Sequence, residues 1–479
     1  MNPKENKRNL WKRVYGGKYQ KHVTIYTVGS TAESTEEIDE KIVYMEDLEK
    51  RKQAYGICGE CNEPGTGEDW CQPCNAKRLK DNFKNWTSGN KNIDEFIQQS
   101  QLNAVHYKKY FEWIPFENFK DIVYITRGGF GKIYSAEWPE GYIEYWDIKN
   151  QKWKRISDIK IALKSLDNSS SISAEFLNEI KSHLQIYLFD VIQCYGITQD
   201  PNTKDYMMVL EYCKYGNLRN YYMNTNELYY SSKIKGLVRI ASGLLDIHNA
   251  GKVHKDFHSG NILYSSSGSY PFISDLGMCQ PANNEKQSVK KEGIYGVLPY
   301  MAPEFLRGYQ YTKASDIYSF GIMMNEYISE ETPYNNVPHN HALAIKICKG
   351  LRPNIFKYTP KLLADLITKC WDAKAENRPT AEELYETLSK LRSHKYDISS
   401  QANEYDNKIK LNRTSEKRSK NIQTHPQAIY TSRLLNFKNL PEPVNSDVAK
   451  TTILSECLDC QLDELDLDEI NQDEENNTK

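Results

Sequence analysis

The chain has 479 residues, 39% of them apolar, and a net charge of −2; that length suits about two to four domains, and that composition supports a core while predicting exposed stretches beside it. The near-neutral balance gives no global basic surface for nucleic acid. No run approaches the roughly 18 consecutive apolar residues of a membrane span, and the basic N-terminus lacks the apolar stretch of a secretory signal, so a cytoplasmic chain with its eleven cysteines reduced is expected.

Residues 1–54 are polar and read as a flexible N-terminal segment. Lys4, Lys7, Arg8, Lys12, Arg13, Lys18 and Lys21 crowd its start, which fits a solvated tail better than a partner-binding arm. Residues 55–115 open with Cys58-x-x-Cys61 and, after nine residues, Cys71-x-x-Cys74, with Gly59, Gly65, Gly67 and Pro73 supplying turns. Four thiolates in two such knuckles suit tetrahedral Zn2+; a redox pair is the other use of such cysteines. Loss of the ion is expected to unfold this small module and spare the rest. Ile93, Phe96, Ile97 and Val105 then fall near a helical period, with Thr87 to Asn90 breaking two short helices. A subordinate alternative makes the module a nucleic-acid binder through Trp70, Lys77 and Arg78.

Residues 116–394 begin with strands and continue with long helical patterns. Asp121 to Ile125 is a strand, Thr126 to Gly131 a turn, and Lys132 to Ala136 the returning strand. Gly128, Gly129 and Gly131, around Phe130, allow the backbone to approach phosphates and aim N–H groups at them, although an ordinary hairpin would also carry such a turn. The stretch IEYWDIKNQKWKRI reads as an extra hairpin turning at Asp147 to Asn150. Lys164 ends the strand IALK, where its ammonium can reach phosphate oxygens. The helical stretch SAEFLNEIKSHL carries Glu179, a counter-charge for a buried lysine, though a surface glutamate is the plainer reading of that residue alone.

The segment VHKDFHSGNIL, residues 253–263, places Asp256 and Asn261 five apart on one loop, and FISDLG follows with Asp275. Asn261 and Asp275 are two oxygen ligands of the kind Mg2+ takes beside nucleotide phosphates. Asp256 is left to accept a proton from a hydroxyl substrate, and phosphoryl transfer asks little more of a protein than positioning and charge neutralisation. Between Asp275 and Met301-Ala302-Pro303-Glu304 lie Ser288 and Tyr295, either of which could take a phosphate that orders the segment against Lys255. Residues 395–479 turn polar and read as a largely disordered tail, acidic at its end, in which Cys457-x-x-Cys460 is incidental.

In order and spacing, the glycine loop, IALK, HKDFHSGN, DLG, APE, SDIYSFG and ENRPT resemble the eukaryotic protein kinase family over the whole of residues 116–394. The resemblance implies an α+β bilobal fold, a small β lobe over a larger helical lobe, with ATP and Mg2+ in the cleft and protein hydroxyls as substrates. It implies that Leu210 stands at the back of the adenine site, that Glu211 and Cys213 offer backbone groups to adenine, and that Ile125, Ile133, Ala162 and Leu263 sandwich its ring. Lys164 would hold phosphates and pair with Glu179, Glu304 would pair with Arg378, and Asp316 would brace the catalytic loop. More narrowly the chain resembles the tyrosine-kinase-like group, and the kinases expanded in arbuscular mycorrhizal fungi, through YGICGECNEPGTGEDWCQPCN, EYWDIKNQKWKRI, YTKASDIYSFGI and AIYTSRLLNFKNLPEP.

Four positions depart from the kinase pattern. Thr126 replaces the first glycine of the loop. Lys255 replaces an arginine, keeping the charge and losing the bidentate fork. His258 stands where Ser/Thr kinases carry a lysine, and Val297 where they carry a threonine. Tyrosine-kinase signatures are missing as well, so Ser/Thr specificity is expected. The alternative is a pseudokinase or scaffold that uses the kinase fold and the zinc module for binding; the intact Lys164, Asp256, Asn261 and Asp275 weigh against it.

Overall fold

The computed structural model describes residues 23–25, 42–127, 131–166, 174–186, 190–225, 228–282 without 267 and 269, 293–393, 399–414 and 424–445. Gly128, Gly129, Phe130, Ser288, Cys457 and Cys460 lie outside the described residues.

Period-two alternation builds the upper lobe. Its six strands are β3 (Glu112–Trp113), β4 (Lys120–Arg127), β5 (Gly131–Trp138), β8 (Ile159–Leu166), β9 (Cys194–Gln199) and β10 (Tyr206–Glu211), in the order β3-β9-β10-β8-β5-β4. β3 runs parallel to β9 and the other pairs are antiparallel. Successive side chains point to opposite faces of a strand. In β10, Met207 and Val209 join Trp138, Ile161 and Leu163 on one face, while Tyr206, Met208 and Leu210 meet Phe176 and Ile180 on the other. Those two residues belong to α4 (Ala174–Gln185), the helix that carries Glu179. An extra hairpin, β6 (Tyr142–Asp147) with β7 (Lys152–Ile156), turns where Asp147 accepts from the backbone of Lys149 and Asn150 at 3.0 Å each.

The residues before the sheet are not an independent bead. α1 (Leu48–Tyr55) is capped by Asp47. Buried Arg51 donates to the carbonyls of Met45 and Gly65 at 2.9 Å each and of Pro64 at 2.5 Å. Structure therefore reaches back to the short strands β1 (Val23–Ile25) and β2 (Ile42–Tyr44), which pair in parallel, inside the stretch expected to be flexible. After α2 (Gln72–Asn82), α3 (Lys91–Asn103) starts at Asn90, whose side chain accepts from two helix N–H groups. Its Ile93 and Ile97, with Phe111, share a core with Phe176 and Ile180 of α4. The expectation that the module stands apart from the kinase domain is corrected here: its apolar residues pack on α4 and on the extra hairpin, where Trp70, Leu79 and Tyr110 share a core with Ile143 and Trp153.

The lower lobe is helical. α5 is Leu218–Asn224, α6 Tyr230–Asn249, α7 Pro303–Leu306, α8 Lys313–Ser329, α9 His341–Cys348, α10 Lys361–Cys370 and α11 Ala381–Ser393. α8 opens with a capping box between Thr312 and Ser315 and is buried along almost its whole length, with the carboxylates of Asp316 and Glu326 inside and paired. Short strands β11 (Lys252–Val253), β12 (Ile262–Tyr264), β13 (Pro271–Ile273), β14 (Gln280–Pro281) and β15 (Ile294–Gly296) line the top of this lobe, facing the sheet.

The polar tail is a second correction. α12 (Ser399–Thr414) lies on the lower lobe with Tyr405 and Ile409 in its main core. Fully buried Lys233 donates to Glu330 at 2.9 Å and to the Tyr405 hydroxyl at 2.8 Å, and Arg413 pairs with the same glutamate. Residues 424–445 then run back across the lobe, and β16 (Arg433–Leu435) pairs antiparallel with β15. Composition concealed this because the few apolar residues are spaced to fill a surface that exists only after the lobe has folded.

Candidate active site

β8 aims Lys164 away from the core that holds Ile161 and Leu163, into the space between the lobes. Its ammonium lies 2.7 Å from Glu179 and 2.9 Å from Asp275. Burial alone would pull the lysine down, but the charges of Asp275 and Glu179 hold it above its ordinary range. Glu179, more deeply buried, is pushed up to about 7 by burial and by Asp275, against the pull of Lys164. One cation is serving two carboxylates, and Lys164 keeps its proton. Gly277 leaves room beside the pair: a Cβ there would crowd Glu179 Oε2 at 3.2 Å and Asp275 Oδ1 at 3.3 Å.

Across the cleft, the loop after β11 is held from below by Asp316 of α8. Its carboxylate accepts from His254 N at 2.8 Å, Lys255 N at 3.1 Å and the Tyr311 hydroxyl at 2.7 Å, and lies 2.9 Å from His248 Nε2. Burial would raise its pKa; His248 and these donors hold it below the ordinary value. Lys255 and Asp275 both adopt left-handed backbone, with φ of 70° and 58°, and local strain of this kind gathers at functional sites.

Asn261 Nδ2 donates to the Asp256 carbonyl at 2.9 Å and to its carboxylate at 3.2 Å. This commits the amide nitrogen and leaves the amide oxygen as the donor atom for a hard cation. Ser274 N and Oγ both donate to the Asn261 carbonyl, at 2.8 and 2.9 Å, which ties Asn261 to the segment bearing Asp275. His258 Nδ1 accepts from Gly260 N at 3.0 Å, so its Nε2 faces the Asp256 carboxylate at 3.5 Å. Burial would raise the Asp256 pKa, but His258 and a hydrogen bond from Ser432 hold it low. That serine comes from the tail: its hydroxyl lies 2.7 and 2.6 Å from the two Asp256 oxygens.

Of the residues expected around adenine, Ala162 of β8 pairs with Leu210 of β10; Ile125 is exposed, and Ile133, Ala162, Leu210, Glu211, Cys213 and Leu263 are half-buried. Gly131 opens β5. Glu304 and Arg378 form a two-pronged ion pair at 2.7 and 2.8 Å. Tyr295 is half-buried, with its hydroxyl donating to the Ser432 carbonyl at 3.1 Å. The sequence reading missed His254, whose Nε2 lies 3.0 Å from the Ser274 carbonyl. It also missed Arg219, which pairs with buried Glu326 at 3.0 Å beneath the catalytic loop. Ser432 was the third omission. No local pattern in TSRLL marks that serine as a partner of Asp256.

The four cysteines converge. The sulfurs of Cys58, Cys61, Cys71 and Cys74 lie within 4.8 Å of one another, with Cys61 and Cys71 3.6 Å apart. A tetrahedron with Zn–S bonds of about 2.3 Å has edges of about 3.8 Å, so this set fits the ion. Without a cation the sulfurs resist joint ionisation: bonds from its neighbours, Cys71 first, bring Cys58 to about 5, while burial and the Cys58 charge push Cys74 up to about 12. Trp70 is fully buried and its indole N–H donates to the Ala104 carbonyl at 2.7 Å. It is not available to stack a nucleobase, and Arg78 is engaged by Glu60.

A β lobe over a helical lobe, with a lysine, two aspartates and an asparagine converging between them, defines a phosphotransferase of the protein kinase class. The family profile described as protein tyrosine and serine/threonine kinase matches residues 120–388, and the chain belongs to that family. Among similar proteins, a probable serine/threonine-protein kinase of Dictyostelium discoideum is 29% identical over 256 residues, 49% of this chain and 16% of the relative. Serine/threonine-protein kinase VIK of Arabidopsis thaliana is 28% identical over 283 residues, 57% of this chain and 60% of the relative. Tyrosine-protein kinase SPK-1 of Girardia tigrina is 24% identical over 284 residues, 57% of this chain and 53% of the relative. The chain thus spans less than two thirds of each of these relatives. Among the described residues, no helix is long and apolar enough to cross a membrane.

Proposed function

We propose that this chain is an ATP-dependent protein kinase that transfers the γ-phosphoryl group to serine or threonine hydroxyls of proteins, in intracellular signalling, with its catalytic domain over residues 116–394. The observation that carries this reading is the Lys164 ammonium held between Glu179 and Asp275, opposite a loop on which Asn261 is bonded to Asp256. Asn261 and Asp275 supply the hard oxygens that would hold Mg2+, and the ion would neutralise charge on the phosphates. Lys164 would bind phosphate oxygens, and the rim from Ile125 to Leu263 would take the adenine. Asp256, held low in pKa, stays ionised near neutrality and accepts the proton of the attacking hydroxyl. His258 turns an N–H toward the same carboxylate, so the loss of the usual lysine still leaves a donor there.

Ser/Thr preference is supported by relatives named as Ser/Thr kinases and by the serine seated on Asp256. We place the chain in the tyrosine-kinase-like group, in keeping with relatives of both specificities. Cys58, Cys61, Cys71 and Cys74 would hold a structural Zn2+, and reduced thiolates together with ATP accord with a cytoplasmic location. Purified protein with Mg2+ and labelled ATP should label casein, and Asp275→Ala should not; equal label with both would sink the proposal.

A further inference from the structure

We propose that Ser432 is the enzyme's own phosphoacceptor, modified in cis while residues 424–445 occupy the protein-substrate groove. This rests on the kinase reading above and adds a modification site, a substrate type and a built-in block.

The geometry is that of a bound substrate. The Ser432 hydroxyl reaches both oxygens of Asp256, at 2.7 and 2.6 Å, and stands 3.5 Å from His258 Nε2. The neighbouring Thr431 is exposed, whereas Ser432 is half-buried. The backbone is fixed by strand addition, the usual mode for an extended peptide on a free edge: Gly296 pairs with Arg433, Tyr295 with Leu434 and Ile294 with Leu435. Gly293 is required for that approach, since a Cβ on it would lie 2.8 Å from the Leu435 carbonyl.

Side chains on both sides of Ser432 then enter formed sites. Two residues before it, the Tyr430 ring lies under Arg219 at 4.3 Å and edge-on to His339 at 4.8 Å, with its hydroxyl donating to the Pro333 carbonyl at 2.7 Å. Arg433 donates to the His339 carbonyl at 2.7 Å. Leu434 points to solvent, and Leu435 is buried among Ile294, Leu298, Met301 and Phe305. The preferred acceptor is thus a serine with an aromatic residue two before it, arginine after it and an aliphatic residue three after it.

In the step itself, Ser432 Oγ attacks the γ-phosphorus, the bond from that phosphorus to the bridging β,γ oxygen breaks, ADP leaves, and the hydroxyl proton passes to Asp256. Asp256 then passes that proton to solvent, and the product's charge of about −2 on phosphate stands against the restored carboxylate. Like charges at that range repel, so the modified tail leaves and the groove opens to other proteins.

The test incubates the full chain with Mg2+ and ATP, with dephosphorylated casein as second acceptor, and follows phosphate at Ser432 by mass spectrometry. Ser432 should gain phosphate with a half-time unchanged on dilution, Asp256→Asn should lose it, and casein labelling should accelerate after Ser432 is filled. Leu435→Asp should slow Ser432 modification and abolish the lag on casein. Labelled casein with bare Ser432, phosphate on Thr431 instead, or a half-time that lengthens on dilution each overturns the proposal and leaves the kinase reading standing. No label on either acceptor overturns both.

Discussion

Asp256 and Asp316 are both buried carboxylates with depressed pKa values, but they do different work. Asp256 meets the acceptor hydroxyl, so its ionisation should govern rate. With its pKa below the ordinary 3.8, the acid limb of kcat/KM should lie in the acid carboxylate range; a limb near neutrality would assign the base elsewhere. Asp316 holds up the backbone N–H groups of His254 and Lys255, so its effect should appear as stability. Asp316→Ala strands those donors at roughly 1–3 kcal/mol each, and a lowered thermal midpoint with loss of transfer is the expected result. A depressed folded-state pKa gives stability that is full above the ordinary carboxylate value and lost as pH falls through the lower folded value. The midpoint of wild type should therefore fall below pH 3.8 more steeply than that of Asp316→Asn.

Among residues of this kind, Lys164, Asp256, Asn261 and Asp275 were expected from the chain because they stand in short motifs whose order and spacing resemble the kinase family's. His254 and Arg219 were not. Their partners are a carbonyl of Ser274 and a buried glutamate more than a hundred residues away in sequence, and neither partner leaves a local pattern.

At the scale of elements, α4 is the part on which the ion pair depends. Its inner face packs on β10, and its C-terminal carbonyls at Leu184, with Ile186 just beyond, receive the Lys109 ammonium from the segment that follows α3. Basic groups at a helix C-terminus satisfy its last carbonyls. Removing them with Lys109→Ala should destabilise the protein by about 1 kcal/mol and lower kcat by loosening Glu179. A denaturation curve and a transfer assay read the two effects separately, and an unchanged kcat would show that α4 is held without this contact. The tail helix α12 offers the contrast. It was expected to be disordered because its sequence is polar, yet Tyr405 and Ile409 are buried, the Tyr405 hydroxyl accepts from Lys233, and Arg413 pairs with Glu330. A short apolar set becomes decisive once a surface shaped for it exists, and that surface is a long-range product of the fold.

For the whole molecule, the cysteine module and the kinase lobe are one mechanical unit. The module's Ile93, Ile97 and Phe111 share a core with the helix of Glu179, and Trp70 stacks on Trp153 of the extra hairpin at 6.0 Å. Chelating the metal should therefore reduce phosphate transfer as well as unfold the module, contrary to the expectation from sequence that the rest would be spared. Activity measured before and after chelation and zinc repletion checks this; full activity in metal-free protein would show the two parts to be independent. The knuckle spacing made the cysteine cluster legible, whereas its docking was not, since β6, β7 and α4 reach the module from far along the chain.

The aromatic seam also gives the protein an optical asymmetry. Of the seven tryptophans among the described residues, Trp70, Trp86, Trp113, Trp138, Trp146 and Trp153 lie in the module and upper lobe, and Trp371 lies in the lower lobe. The emission of these seven is therefore almost wholly a signal from above the cleft. Trp70 is dry, stacked and close in sequence to Cys71, so a red shift on metal loss would report the seam opening, while release of the tail below would pass nearly unseen in the same spectrum.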